Sequence, residues 1–214
     1  MKHKIEKNTV QETLILPLYS RKLCTELYPN LYQDETAVRL IDEIDYDFLE
    51  AEKNSRSLMQ RFGALEVAMR QNDLAWEVRD YLKTHPGGAV FFASGVFYYF
   101  LTQQVKALVR GMADAFPGGV LVFDAANRTA VKMIAKTWLR TAKIKDVGAY
   151  FAVSDAPKEI GEWDNRLQVT SRGYMLGYND LRDTSVSGFF RFLARVGDNG
   201  MKMQIVKIGF GGKL

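Results

Sequence analysis

The chain has 214 residues, a formal net charge of +4, 47 % hydrophobic and 25 % charged residues, proportions that exclude a disordered or fibrous protein. Its only cysteine, Cys24, and its two histidines, His3 and His85, exclude an internal disulfide, a multi-cysteine zinc site and a histidine-rich metal site. The first residues carry charges of both signs, and no apolar run approaches the roughly 20 residues that span a bilayer. We therefore expect a cytoplasmic protein without a membrane segment.

Residues 1–86 are predicted to be helical. Asp34 can cap a helix whose apolar residues Ala37, Val38 and Ile41 have the spacing of one helical face. A longer helix is predicted from about Ser57 to Leu82. The side chains expected toward one side of it are Phe62, Leu65, Met69, Trp76 and Leu82. The sequence His85-Pro86-Gly87-Gly88 then ends the helical region.

Residues 87–214 alternate between strand and helix patterns. Two short apolar runs, residues 89–93 and 120–123, are typical of strands buried on both faces, and an amphipathic helix is predicted between them. Strand and helix in alternation predict a parallel sheet with right-handed crossovers. The further elements expected are helices near 131–139, 155–163 and 188–196, a strand over 167–175, and a last strand over 201–210 that can run antiparallel.

Several strings resemble the class I S-adenosylmethionine-dependent methyltransferases, in the leucine carboxyl methyltransferase-like branch that includes O-methyltransferases of polyketide synthesis. They cover most of the chain: residues 12–21, 34–47, 61–65, 70–82, 91–101 and 119–124. The resemblance implies an α/β fold with a truncated Rossmann-like methyltransferase sheet of roughly four strands, the last one antiparallel. It implies two parts, an N-terminal helical cap over 1–86 and a partial methyltransferase core over 87–214.

The sequence departs from the family in one region. The family has a glycine-rich loop after its first strand and an acidic residue after its second, because glycines let the backbone approach the cofactor and a carboxylate binds its ribose hydroxyls. Here Gly87 and Gly88 precede a strand instead. At about 30 residues per βαβ unit, roughly 60 residues are missing. The domain itself lacks them, the sequence omits them, or the resemblance is misleading.

The resemblance assigns three cofactor-binding residues. Arg70 matches the arginine that binds the carboxylate of the methionine part of S-adenosylmethionine, a task that suits a guanidinium fork. Ser94 and Gly95 follow a buried strand at the edge where parallel sheets bind ligands. The alternative for Arg70 is a solvated arginine on a helix. The alternative for Ser94 and Gly95 is an ordinary turn between a strand and a helix.

Four residues are candidates for binding the methyl acceptor. Tyr98 and Tyr99 can line the transfer pocket, or belong to an aromatic core cluster. Tyr19 and Arg21 match the segment that covers the substrate, or have a capping or surface role. Asp124 ends a predicted strand and is predicted to cap the next helix rather than to contact a ligand.

The function implied is transfer of a methyl group to a carboxylate or hydroxyl of a small molecule. A carboxylate acceptor needs no general base, which a phenol or enol would use. The alternative is an inactive methyltransferase-like binding protein that has lost its cofactor site. Without the missing strands, the strand over residues 89–93 lies at the edge of the sheet with its backbone exposed. This predicts that a second subunit pairs with it in a homodimer, or that the N-terminal helices cover it. A nucleic-acid partner is not favoured, because the basic stripe lacks interleaved aromatic residues; the stripe consists of Lys132, Lys136, Arg140 and Lys143.

Overall fold

The computed structural model describes residues 2–6, 10–48, 57–134, 136 and 148–211. Its N-terminal part is helical, as predicted, with α1 (Val10–Leu27), α2 (Glu35–Glu43) and α3 (Leu58–Thr84). Two short strands, β1 (His3–Lys4) and β2 (Ile44–Asp45), pair in parallel beside these helices. Asp34 caps α2 as expected, because its Oδ1 accepts the Ala37 amide at 2.9 Å.

The C-terminal part forms a four-stranded mixed sheet. Its elements, in chain order, are β3 (Val90–Ala93), a 3-10 turn (Phe97–Tyr99), α4 (Thr102–Ala115), β4 (Val120–Ala125), α5 (Arg128–Ile134), α6 (Ala156–Gly161), β5 (Leu167–Gly173), α7 (Gly188–Arg195), a π-turn (Val196–Gly200) and β6 (Gln204–Phe210). The strand order is β3-β4-β6-β5. The pair β3–β4 is parallel, and β6 is antiparallel to both of its neighbours. The predicted α/β class and antiparallel last strand are confirmed.

The two faces of the sheet bury separate apolar clusters. Alternate residues of β4 point to opposite faces, so Val120 and Val122 pack with α3 and the N-terminal helices, whereas Leu121 and Phe123 pack with α4 and α6. Every residue of β4 is buried. This explains why the strand is a continuous apolar run rather than an alternating pattern.

Strand β3 lies at an edge of the sheet, as predicted from the missing strands. Helix α3 packs on the face of the sheet against β3, β4 and β6. No strand in the described ranges pairs with the outer side of β3. The predicted pairing of this edge with another subunit stays a prediction.

The predicted helix near 131–139 and the basic stripe on it lie only partly within the described residues. Helix α5 ends at Ile134, and Arg140 and Lys143 of the basic stripe lie outside the described residues, while Lys132 and Lys136 are exposed. Within the portion of the chain that is described, no helix has both the length and the apolar character that crossing a membrane requires.

Candidate functional site

A polar cluster lies at the carboxyl edge of β3 and β4, centred on Asp124. Its side chain is fully buried, and its Oδ2 lies 3.3 Å from Nη1 of Arg70 on α3. Its Oδ1 accepts the backbone amide of Gly95 at 2.5 Å. The hydroxyl of Tyr98 is close enough to the same carboxylate for the negative charge to raise its pKa. Three residues assigned from the sequence, Arg70, Gly95 and Tyr98, therefore meet at one carboxylate.

The guanidinium of Arg70 is mostly buried, with 18 % of its side chain exposed. Burial by itself lowers the pKa of Arg70, but the opposing attraction of Asp124 and its other neighbours raises it above the ordinary value. Arg70 is therefore a permanent cation in this cluster. Its Nε is buried and has no hydrogen-bond partner, so one donor of the fork is unsatisfied.

Two further residues complete the cluster and were not identified from the sequence. The hydroxyl of Tyr174 donates to Oε1 of Glu66 at 3.3 Å. Burial raises the pKa of Glu66, and the charge of Arg70 opposes that shift. Glu66 lies one helical turn before Arg70, so the i, i+4 spacing was the signal that could have identified it. Tyr174 comes from the turn after β5, which sequence spacing does not connect to α3.

Both buried tyrosines of the cluster remain neutral donors. The pKa values of Tyr98 and Tyr174 lie well above the ordinary value, first because of burial and then because of the carboxylates beside them. Neither hydroxyl can therefore act as a base near neutral pH. Tyr99 differs, because 42 % of it is exposed; burial raises its pKa and Arg70 opposes the shift. It is the half-exposed member of this edge.

Gly95 occupies a position that requires glycine. Its φ is +67°, and a Cβ there would lie 3.7 Å from Nη2 of Arg70. The arginine fork therefore lies directly over this turn. Ser94 precedes it at the carboxyl end of β3 and is partly buried. The structure thus brings the three predicted cofactor-binding residues to one place.

The remaining candidates lie in the helical part. Tyr19 is buried and stacks on Phe48, with 5.4 Å between ring centroids. Arg21 binds Asp34, with 2.8 Å between its Nε and Oδ2, and also donates to the hydroxyl of Tyr32. Arg21 therefore fastens α1 to the beginning of α2. A substrate role for Tyr19 and Arg21 stays a prediction.

The predicted helix-capping role of Asp124 is wrong. Strand β4 continues through Asp124 to Ala125, and α5 begins three residues later. The amide of Ala130 is instead accepted by Oδ1 of Asn127 at 3.0 Å. The carboxylate of Asp124 is left to bind Arg70 and Gly95.

Two acidic residues outside this cluster, Asp73 and Asp198, lie beside the turn after β5. Asp73 accepts the amide of Met175 at 2.9 Å, and Asp198 accepts the amide of Leu176 at 3.1 Å. One oxygen of each carboxylate, Oδ1, is buried without a hydrogen-bond partner. Burial raises the pKa of each carboxyl to about 7. Both carboxylates accept amides of one turn and each has a buried oxygen, so we assign them a structural role.

No group of three or more His, Cys, Asp or Glu side chains in the described ranges could hold a metal ion. Comparison with known proteins adds no family to this geometry: no protein-family model matches the chain, and no match is found among curated proteins or solved structures.

Proposed function

We propose that the protein is an O-methyltransferase that uses S-adenosylmethionine and transfers its methyl group to a carboxylate or hydroxyl of a small molecule. One observation carries the proposal. Arg70, Gly95 and Tyr98 were chosen from the sequence; Arg70 and Gly95 bind Asp124 at the carboxyl edge of parallel strands, and the same carboxylate raises the pKa of Tyr98. This is the edge at which open α/β sheets bind ligands.

The residues of this edge fit the methionine part of the cofactor. The buried, unpartnered Nε of Arg70 is a donor for a carboxylate, and Asp124 supplies a negative charge for an ammonium group. When bound, S-adenosylmethionine supplies a methyl group that its positive sulfur has already activated. Arg70 would bind and orient the amino-acid end, and Ser94 and Gly95 would form the turn beneath it.

The acceptor would approach from the exposed side of the same edge. Tyr99 is the half-exposed residue there, and its hydroxyl can hold an acceptor oxygen. Transfer is an in-line displacement, so most of the rate would come from alignment of the two partners. A carboxylate acceptor is already a nucleophile. The neutral hydroxyl of Tyr99 beside it would therefore position the acceptor and remove no proton.

A second candidate function is a methyltransferase-like protein that binds ligands without catalysis. The fork of Arg70 is already paired with Asp124, so an incoming carboxylate must compete with an internal one. Gly87 and Gly88 precede β3 instead of following a strand, so no glycine-rich loop there cradles a cofactor. These two observations favour loss of transfer with the rest of the fold retained.

Calorimetric titration with S-adenosylmethionine, followed by a radiolabelled transfer assay on small carboxylic acids and phenols, tests the proposal. We expect micromolar binding that Arg70→Lys weakens about tenfold, because an ammonium cannot replace the planar fork. The matched control is Arg79→Lys, an exposed arginine of the same helix, which should bind as the unmodified protein does. Binding with transfer supports the enzyme. Absence of binding by a folded protein overturns it and leaves the second candidate.

A further inference from the structure

The outer side of β3 presents backbone groups that no strand in the described part of the chain pairs with. The amide of Val120 donates to the carbonyl of Ala89 at 2.9 Å, and β3 and β4 are parallel and in register from Val90 onward. A parallel ladder uses alternate residues, so Phe91 also faces β4. Val90 and Phe92 therefore direct their N–H and C=O groups away from the sheet, where the described residues place no strand.

This edge lacks the features that normally prevent pairing. Edge strands are usually protected by charged side chains, proline or a bulge. Strand β3 has none of these: its residues are Val90, Phe91, Phe92 and Ala93, paired with β4 in continuous register. Phe92 is 45 % exposed on the α3 face. Two copies could approach here without burying a charge of the strand.

We propose that a second copy of this chain pairs with β3 across a two-fold axis, joining the two sheets into one. Two-fold symmetry makes the two strands antiparallel. The outward groups then match when Val90 lies opposite the partner's Phe92, and both residues exchange their N–H···O bonds. Phe91 lies at the axis. Each such pair also sets a β-branched side chain against an aromatic one, a favourable cross-strand combination.

The apolar surface around the edge supports a second copy as the occupant. Phe116 contacts Phe91, with 4.8 Å between ring centroids, and three more apolar residues follow the carboxyl end of the strand. The exposed side chains are Phe92, Val96, Phe100, Leu101 and Phe116, at 42 to 53 %. They expose on the order of 400 Å² per chain, about half of the roughly 800 Å² that each partner buries in a standard interface. The backbone edge and its polar neighbours would add to this area.

Sedimentation of the full chain tests the proposal. We expect a mass of twice 24.3 kDa at micromolar concentration, and a dimer dissociation constant raised about tenfold or more by Phe92→Lys, which places a charge in the pairing edge. The matched control is Phe192→Lys on α7, where the phenylalanine is 55 % exposed; it should leave the dimer intact. A monomer at all concentrations, or a dimer that Phe92→Lys does not weaken, overturns the proposal.

Hydrogen exchange of the unmodified chain keeps the test independent of how the variants fold. The amides of Val90 and Phe92 should become protected as the concentration rises through the dimer range. Protection in a monomer would show that the chain covers its own edge, and would overturn the proposal.

A cysteine scan tests the register. Phe91→Cys should form an intermolecular disulfide under mild oxidation, because residues at the axis have Cα atoms about 4.5 Å apart. Val90→Cys should not, because its copy lies two positions along the partner strand, about 7–8 Å away or more. The natural Cys24 is fully buried and is present in both variants as background. A cross-link through Val90→Cys instead would overturn the register.

Discussion

Arg70 and Asp124 lie 54 positions apart in the chain, and their side chains meet with 3.3 Å between Nη1 and Oδ2. The pair joins α3 of the helical part to β4 of the sheet. Because Asp124 is fully buried and Arg70 mostly so, water does little to weaken the attraction. The carboxylate also accepts the amide of Gly95, so one side chain fixes both a helix and the turn after β3.

Replacing Asp124 should therefore be costly. Asp124→Asn keeps an acceptor for Gly95 but removes the charge that compensates Arg70. We expect the free energy of unfolding to fall by about 3 kcal/mol, the usual cost of leaving a buried charge unpaired. Urea denaturation monitored by circular dichroism measures this change.

An exposed ion pair on the same helix provides the control. Asp80 lies 3.6 Å from Lys83, and both side chains are well exposed. Asp80→Asn should change the free energy of unfolding by no more than about 0.5 kcal/mol. Equal losses from the two variants would contradict the special role of Asp124.

Strands β3 and β4 could be predicted from the sequence because each contains a continuous apolar run. Residues 89–93 and 120–123 predicted two strands buried on both faces, and the amphipathic spacing between them predicted α4. Burial on both faces is confirmed for β4 but is wrong for β3, where Phe92 is 45 % exposed because the strand lies at the sheet edge. The antiparallel course of β6 was an option that mixed sheets allow, and the structure adopts it. The side of α3 that is buried was predicted less well. Phe62, Leu65 and Met69 are packed, but Trp76 and Leu82 are 41 % and 38 % exposed.

The reason is that α3 packs against α1 on one side and against the sheet on another. Its buried surface includes Asp73 and Glu77, whose partners Met175, Tyr178 and Lys207 come about 100 or more positions later. Apolar spacing cannot identify a buried carboxylate with so distant a partner. The same limit applies to the candidate site, where Asp124 was expected to cap a helix.

The acidic pair Asp73 and Asp198 should make stability depend on pH. Burial raises the pKa of each to about 7, far above the value in an unfolded chain. The folded state therefore binds protons that the unfolded state releases between about pH 4 and 7. The stabilisation is present below this range and is lost as the pH rises through it to about 7, for the buried Asp73 by up to about 4 kcal/mol.

The variant Asp73→Asn tests this contribution directly. Asparagine can still accept the Met175 amide but does not titrate. The other charged groups that act on Asp73 are Asp198, Arg172 and Glu77, and they remain in place. We expect the free energy of unfolding of this variant to decline less between pH 5 and 8 than that of the unmodified chain. Parallel pH profiles would show that Asp73 does not titrate in this range.

Two glycines should respond to alanine in opposite directions. Gly111 lies inside α4, is exposed, and a Cβ there would meet nothing within 4 Å. Gly111→Ala should raise the free energy of unfolding by about 1 kcal/mol, the difference in helix propensity. Gly95 has a φ of +67°, so Gly95→Ala should lower it by about 1 kcal/mol or more.

A third glycine separates backbone strain at Gly95 from any effect of the new methyl group on its contact with Arg70. Gly118 has a φ of +81° and an open surrounding, so Gly118→Ala reports the backbone term alone. Thermal unfolding of the three variants gives the comparison. Stabilisation by Gly95→Ala would contradict the left-handed turn at the candidate site.

Arg21 offers the clearest separation of a structural role from a substrate role. It binds Asp34, which also caps α2 and accepts the hydroxyl of Tyr32 at 2.9 Å. Arg21→Met and Asp34→Asn should each destabilise the chain, and a double-mutant cycle should give a coupling of about 1 kcal/mol because the two side chains interact directly.

If the arginine only fastens α1 to α2, Arg21→Met leaves ligand affinity unchanged once folding is confirmed. If it also meets an acidic acceptor, the KM for that acceptor rises without a change in cofactor binding. Additive losses of stability would show that the Arg21–Asp34 contact does not hold the helices together.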